Sequence, residues 1–123
     1  MGNKRQQFGK ESESLAARHL KKNGYKILER NYRNKLGEID IIARDRDTLV
    51  FVEVKAKRSD RFGGPKEAVT HKKQQKISKV ALLYLNETNQ NNLKARFDVV
   101  AILSTRDSTS IEIVKNAFEL AYT

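Results

Sequence analysis

The chain has 123 residues, with no cysteine, no tryptophan and a single proline; 38% of it is hydrophobic and 33% charged. That length suits one domain over residues 1–123 with one core, and the lack of cysteine excludes disulfides, thiolate metal sites and a cysteine nucleophile. Lys and Arg total 25 against 15 Asp and Glu, a formal net charge of +10, which favours a polyanionic partner over a merely solubilising surface.

No stretch approaches the ~18 apolar residues that would span a bilayer, and the basic start, Met1 to Lys10, leads into no apolar run of signal-peptide type. The sequence therefore predicts a soluble, cytoplasmic protein with no membrane association. Charge is unevenly spread. Residues 1–36 carry ten basic and three acidic side chains, residues 37–54 two and five, and residues 55–79 nine and two. An acidic island between basic flanks is the pattern of a cation site set in a phosphate-binding surface.

Gly9 to Asn23 predicts a helix, with Leu15, Ala16, His19 and Leu20 as its apolar stripe and Gly24 as its stop. Tyr25 to Tyr32 alternates as a strand, and Glu38 to Ala43 is a second. Leu49 to Lys57 is a third, rich in β-branched residues. The polar turn Arg44 to Thr48 makes strands two and three a hairpin. Ser59 to Pro65 is a loop containing Gly63 and Gly64, and Pro65 suits the first turn of the helix that follows, which runs to about Asn86. Ile77, Val80, Ala81, Tyr84 and Leu85 form that helix's buried stripe. After the polar stretch Asn86 to Asn92 come a fourth strand, Phe97 to Leu103, and a fifth, Ile111 to Val114. The apolar tail Ala117 to Tyr122 is expected to dock on the core. The fold class is α/β: a mixed five-stranded sheet flanked by helices, in the order αβββαββ.

The third strand carries the chemistry. Val50, Val52 and Val54 share one face; Leu49, Phe51, Glu53 and Lys55 share the other. A charge on a mostly buried strand must be paired or bind a metal. Glu53 and Lys55 either satisfy each other, or Glu53 holds a cation while Lys55 faces the reacting group. On the second strand, alternation puts Ile39 and Ile41 on one face and Glu38, Asp40 and Ile42 on the other. Asp40 then lies beside the strand that bears Glu53, and two neighbouring carboxylates repel unless a proton or cation intervenes. Oxygen ligands with open positions suit Mg²⁺ or Mn²⁺. Such an ion lowers the pKa of bound water and neutralises charge on a phosphate, and a lysine alongside stabilises the oxyanion. Asp40, Glu53 and Lys55 are accordingly the candidate catalytic set.

These residues carry a resemblance. Asp40 with Glu53-Val54-Lys55 resembles the PD-(D/E)XK nuclease superfamily, although Ile39 stands where that superfamily has proline. Gly9 with Glu13, Gly37-Glu38-Ile39-Asp40, Phe51-Val52-Glu53-Val54-Lys55, the Lys73-to-Leu85 helix and Arg96-Phe97-Asp98-Val99-Val100 resemble the YraN family, which is related to archaeal Holliday-junction resolvases. The resemblance implies a restriction-endonuclease-like fold and a metal-dependent endonuclease acting on DNA, branched DNA among its forms, with RNA left open. It implies Glu13 as a third metal ligand beside Asp40 and Glu53, with Glu11 the neighbouring alternative, and a homodimer. The other readings are a non-catalytic nucleic-acid-binding module on the same fold and a basic adaptor that meets an acidic protein partner.

The basic residues outside this cluster fit phosphate contact. Lys73 and Lys76 lie in the N-terminal half of the long helix, where its dipole also favours anions; Arg58 and Arg61 lie on the glycine-bearing loop. His71 lies in the same basic stretch, and His19 is expected to pack in the core; so far apart, they make no zinc site. Asp98 is expected to be the structural partner of a Lys or Arg.

Overall fold

The structure is a computed structural model describing residues 4–58 and 69–119. Its elements are α1 (Lys4–Lys22), β1 (Lys26–Asn34), β2 (Gly37–Asp45), β3 (Thr48–Lys57), α2 (His71–Glu87), β4 (Lys94–Ser104) and β5 (Thr109–Phe118). The order is αβββαββ, as expected. The five strands lie in space in their chain order, β1-β2-β3-β4-β5. All neighbours are antiparallel except β3 and β4, which run parallel and are joined through α2. No helix among the described residues is long and apolar enough to cross a membrane.

The two helices cover opposite faces. α1 presents Ala16, Ala17 and Leu20 to Ile41, Ala43, Val50, Val52, Val100 and Ile102. α2 presents Ile77, Val80, Ala81, Tyr84 and Leu85 to Ile39, Ile42, Leu49, Phe51 and Phe97. Phe51 and Tyr84 meet edge-on with ring centroids 5.9 Å apart, and Phe97 stacks on Phe118 at 4.7 Å. β3 is therefore sandwiched, which is why Leu49 to Val52 read as an unbroken apolar run. The expected hairpin is present: Asp45 pairs with Thr48 across a two-residue turn, and Arg46 takes the left-handed backbone (φ 57) that such a turn requires.

Several expectations need correction. α1 starts at Lys4, five residues before Gly9. His19 is half-buried at the rim of α1, not packed inside, because the stripe rotates to Ala16, Ala17 and Leu20. Pro65 does not open α2. Val69 and Thr70 are non-helical, and the Thr70 side chain accepts the Lys73 amide at 3.2 Å as an N-cap before His71. β5 runs to Phe118, so part of the expected tail is strand, completed by the Phe97–Phe118 stack. Arg61, Gly63, Gly64 and Pro65, and the tail beyond Glu119, lie outside the described residues.

The alternation on β2 also breaks. Ile39 joins the α2 side while Ile41 joins the α1 side, so the two do not share a face. The break falls at Asp40. The β1–β2 register passes from Arg30↔Ile41 to Tyr32↔Ile39, and Asn31, which stands opposite Asp40, has a left-handed backbone (φ 54).

Candidate active site

The β2–β3 ladder ends at the pair Ile41↔Val52. One residue further along, the Asp40 carboxylate replaces the backbone partner: the Val54 amide donates to Asp40 Oδ2 at 2.8 Å. The carboxylate thus closes the gap where the strands part. An otherwise unpartnered amide fixes its position.

Glu53 follows from the alternation of β3. It lies on the α2 face beyond Phe51 and is 7% exposed. Two lysines converge on its Oε1: Lys73 Nζ of α2 at 3.0 Å and Lys55 Nζ of β3 at 3.9 Å. Burial, and then the negative charge of Asp40, push the Glu53 carboxyl above its usual pKa; the two lysines pull the other way and do not offset this. Burial works against the Lys73 ammonium, but its hydrogen bond to Glu53 and the surrounding negative charge raise its pKa.

Glu13 comes from α1 and meets Asp40 from the opposite helix layer. Burial and then Asp40 raise its pKa. In the orientation that satisfies both partners, the Asn31 side-chain amide donates to the two Glu13 oxygens at 2.9 and 2.8 Å. The left-handed turn of Asn31 therefore places an amide against one carboxylate beside another. Glu11 is exposed and takes no part.

Of these groups, Asp40, Glu53 and Lys73 face an open cleft of about 440 Å³ between the β1–β2 hairpin and α2. Asp40, Glu53, Lys73, Lys76, Arg33, Asn34 and Glu38 line it. The hairpin wall is fixed to the helix, since Asn34 Nδ2 donates to the Val80 carbonyl at 3.2 Å. At the end of β3, the Arg58 guanidinium lies 4.4 Å from the centre of the Phe8 ring, so it is stacked on α1 rather than reaching from a loop. Arg61 lies outside the described residues. The structure thus brings Glu13, Asp40, Glu53, Lys55, Lys73 and Lys76 to one region. Asn31 is the member that the sequence reading missed, because nothing in the residue letter announces a left-handed backbone.

A second polar cluster lies on the α1 side of the sheet. Asp98 is fully buried and accepts from Tyr25 Oη (2.7 Å), Arg96 Nε (2.9 Å) and the Asn116 amide (3.0 Å). Arg96 Nη2 also donates to Asp45 at 2.6 Å. With every partner satisfied, Asp98 has the structural role expected of it.

A mixed five-stranded sheet flanked by helices in the order αβββαββ is a restriction-endonuclease-like α/β fold, and here Asp40 lies on β2 and Glu53-Val54-Lys55 on the sandwiched β3. The chain belongs to the uncharacterised protein family UPF0102, the YraN family, whose profile matches residues 12–102. A UPF0102 protein of Desulfosudis oleivorans is 53% identical over 119 residues, covering 97% of this chain and 95% of that protein. One of Syntrophus aciditrophicus is 54% identical over 114 residues, covering 93% and 90%. Among solved structures, the chain is similar to the EndoMS–dsDNA2 complex at 24% identity, over 79% of this chain and 38% of that one, with a TM-score of 0.41.

Proposed function

We propose that this chain is a divalent-metal-dependent endonuclease that hydrolyses phosphodiester bonds in DNA. The observation that carries the proposal is the convergence of Asp40 and Glu53 on one cleft, where Asp40 raises the pKa of Glu53 and a lysine ammonium supplies the compensating charge. Neighbouring carboxylates repel unless a proton or a cation intervenes, and a divalent cation relieves the repulsion here with both groups ionised. The donor set fits a hard ion. Among the described residues no three His, Cys, Asp or Glu side chains form a complete ligand group, so Asp40 and Glu53 would hold Mg²⁺ or Mn²⁺ with water filling the other positions, as Mg²⁺ prefers. Glu13 stands against Asp40 as an auxiliary acid, held by Asn31.

When bound, such an ion activates water and neutralises charge at phosphorus. The chain's own residues do the rest. Lys55, on the same strand face as Glu53, offers an ammonium to a phosphate oxygen or to the attacking water. Lys76 and Arg33 give the cleft a cationic lining for the strand that enters it, and the net charge of +10 draws that strand in. Arg58 extends the basic surface beyond β3, and Arg61 follows it in sequence.

The test is cleavage of linear, flapped and four-way DNA with Mg²⁺ or Mn²⁺, beside Asp40→Asn and Glu53→Gln. The expected result is cutting by the wild type that is abolished in both variants. Binding without cutting by any of the three would replace the enzyme with a nucleic-acid-binding module, a reading favoured by the Lys73–Glu53 ion pair, which satisfies the carboxylate without a metal. A single-stranded RNA of matched length in the same assay tests the choice of DNA. Sedimentation with and without the four-way substrate tests a homodimer.

A further inference from the structure

We propose that Lys73 is a resident cation on Glu53, one that yields the carboxylate to the divalent ion and then binds the phosphate backbone in the same cleft. This rests on the metal-dependent reading above and assigns that site a third functional lysine, one outside the Glu-x-Lys strand.

Three observations carry it. Lys73 Nζ lies 3.0 Å from Glu53 Oε1, while Lys55, the lysine of the Glu-x-Lys element, lies 3.9 Å from the same oxygen. The nearer contact on this ligand oxygen therefore comes from α2. Next, the Lys73 side chain is 46% exposed against 26% for Lys55. A four-carbon stem that is half in solvent can swing away without moving the backbone, and the Thr70 cap holds the Lys73 amide while it does so. Finally, the space for the departing ammonium is the cleft itself, which Lys73 lines together with Lys76. A divalent ion on Glu53 repels the ammonium held on Oε1, so binding the ion weakens the hold on Lys73. The freed charge is then available to the phosphates that the cleft admits. If Lys73 only neutralised a buried carboxylate, its removal would weaken the fold without favouring the metal.

The experiment is calorimetric titration of the full chain with Mn²⁺ alone, comparing wild type, Lys73→Gln, Lys73→Arg and Lys76→Gln. Lys76→Gln removes the same charge from the same helix and cleft, and so reports the general electrostatic effect. Lys73→Gln is expected to bind Mn²⁺ about two- to five-fold more tightly than wild type, the range of a half-exposed ion pair. Lys76→Gln is expected to gain less, and Lys73→Arg to gain nothing. A second arm measures affinity for a short DNA duplex. With chelator, Lys73→Gln is expected to match wild type; with Ca²⁺, it is expected to bind more weakly. Equal Mn²⁺ gains in Lys73→Gln and Lys76→Gln, or equal DNA loss with and without Ca²⁺, would overturn the role of Lys73 and leave the hydrolase reading intact. If Lys73→Gln does not fold, tighter Mn²⁺ binding by Lys73→Arg than by wild type overturns it as well. Wild-type protein that takes up no Mn²⁺ would overturn both.

Discussion

Asp40 performs two tasks with one carboxylate. It caps the Val54 amide where the β2–β3 ladder ends, and it is the negative charge that raises both Glu13 and Glu53. A carboxyl whose folded pKa lies above its unfolded value adds stability below the unfolded value, and that stability is lost as pH rises through the folded one. Glu13 and Glu53 should therefore make the metal-free protein less stable as pH climbs from about 4.5. Asp40→Asn keeps an oxygen for Val54 and removes the repulsion. Thermal unfolding in chelator at about pH 7 should show it more stable than wild type by about 1 kcal/mol, or roughly 4 °C. The gap should narrow towards about pH 5 as the wild-type carboxyls take up protons. A variant that melts below wild type at neutral pH would show that the repulsion is already relieved. Gly37, at φ +149, begins the strand that carries Asp40, and a Cβ there would meet Val80 Cγ2 at 3.0 Å. Gly37→Ala should cost about 1–3 kcal/mol in denaturant unfolding, because Val80 is core and cannot retreat.

At the scale of elements, the structure explains which parts of the sequence could be read. β3 was legible because a doubly covered strand writes an apolar run, and Glu53 and Lys55 stand out against it. The stripe of α2 was legible from its 3.6-residue period, and all five of its named residues are buried. The face assignment of β2 was not, since a period of two assumes an unbroken ladder, and Asn31 and Asp40 interrupt this one. The start of α2 was misplaced because Pro65 is the louder signal, while the operative cap is the hydroxyl of Thr70. That cap also anchors Lys73. Thr70→Ala should cost about 1 kcal/mol, measured by chemical denaturation. It should also leave the Lys73 amide without its acceptor, seen as faster hydrogen exchange at that amide.

The cluster of Tyr25, Asp45, Arg96 and Asp98 belongs to the whole molecule. It joins the α1–β1 connection, the end of β2 and the start of β4 through residues as much as 73 positions apart. No local pattern encodes such a junction, so the sequence supplied Asp98 as a structural partner without naming what it would hold. Arg96→Met strips a fully buried carboxylate of its cation and should cost about 3–5 kcal/mol. Adding Asp98→Asn should recover part of that loss, and simple addition of the two single-variant costs would show that they do not act as a unit. The Arg96 hydrogen bond lowers the Asp45 pKa, so this contribution has the opposite sign to that of the cleft carboxylates. It is present above the unfolded value of 3.8 and fades as pH falls through the folded one. Acid should therefore relax the cleft while weakening the Arg96–Asp45 arm of this junction.

The sheet lays its strands side by side in the order in which they are synthesised. Among the described residues its one parallel seam, β3 against β4, joins the strands up to Arg58 to those after Val69, and both helices pack across it. A chain divided between those residues would keep all three antiparallel pairings, β1–β2 and β2–β3 in one piece and β4–β5 in the other, intact. The first piece would hold Glu13, Asp40, Glu53 and Lys55, and the second would hold Lys73. Mixing the two would bring Lys73 back to Glu53 only when the pieces re-associate, which makes this molecule a natural split reporter for its own assembly.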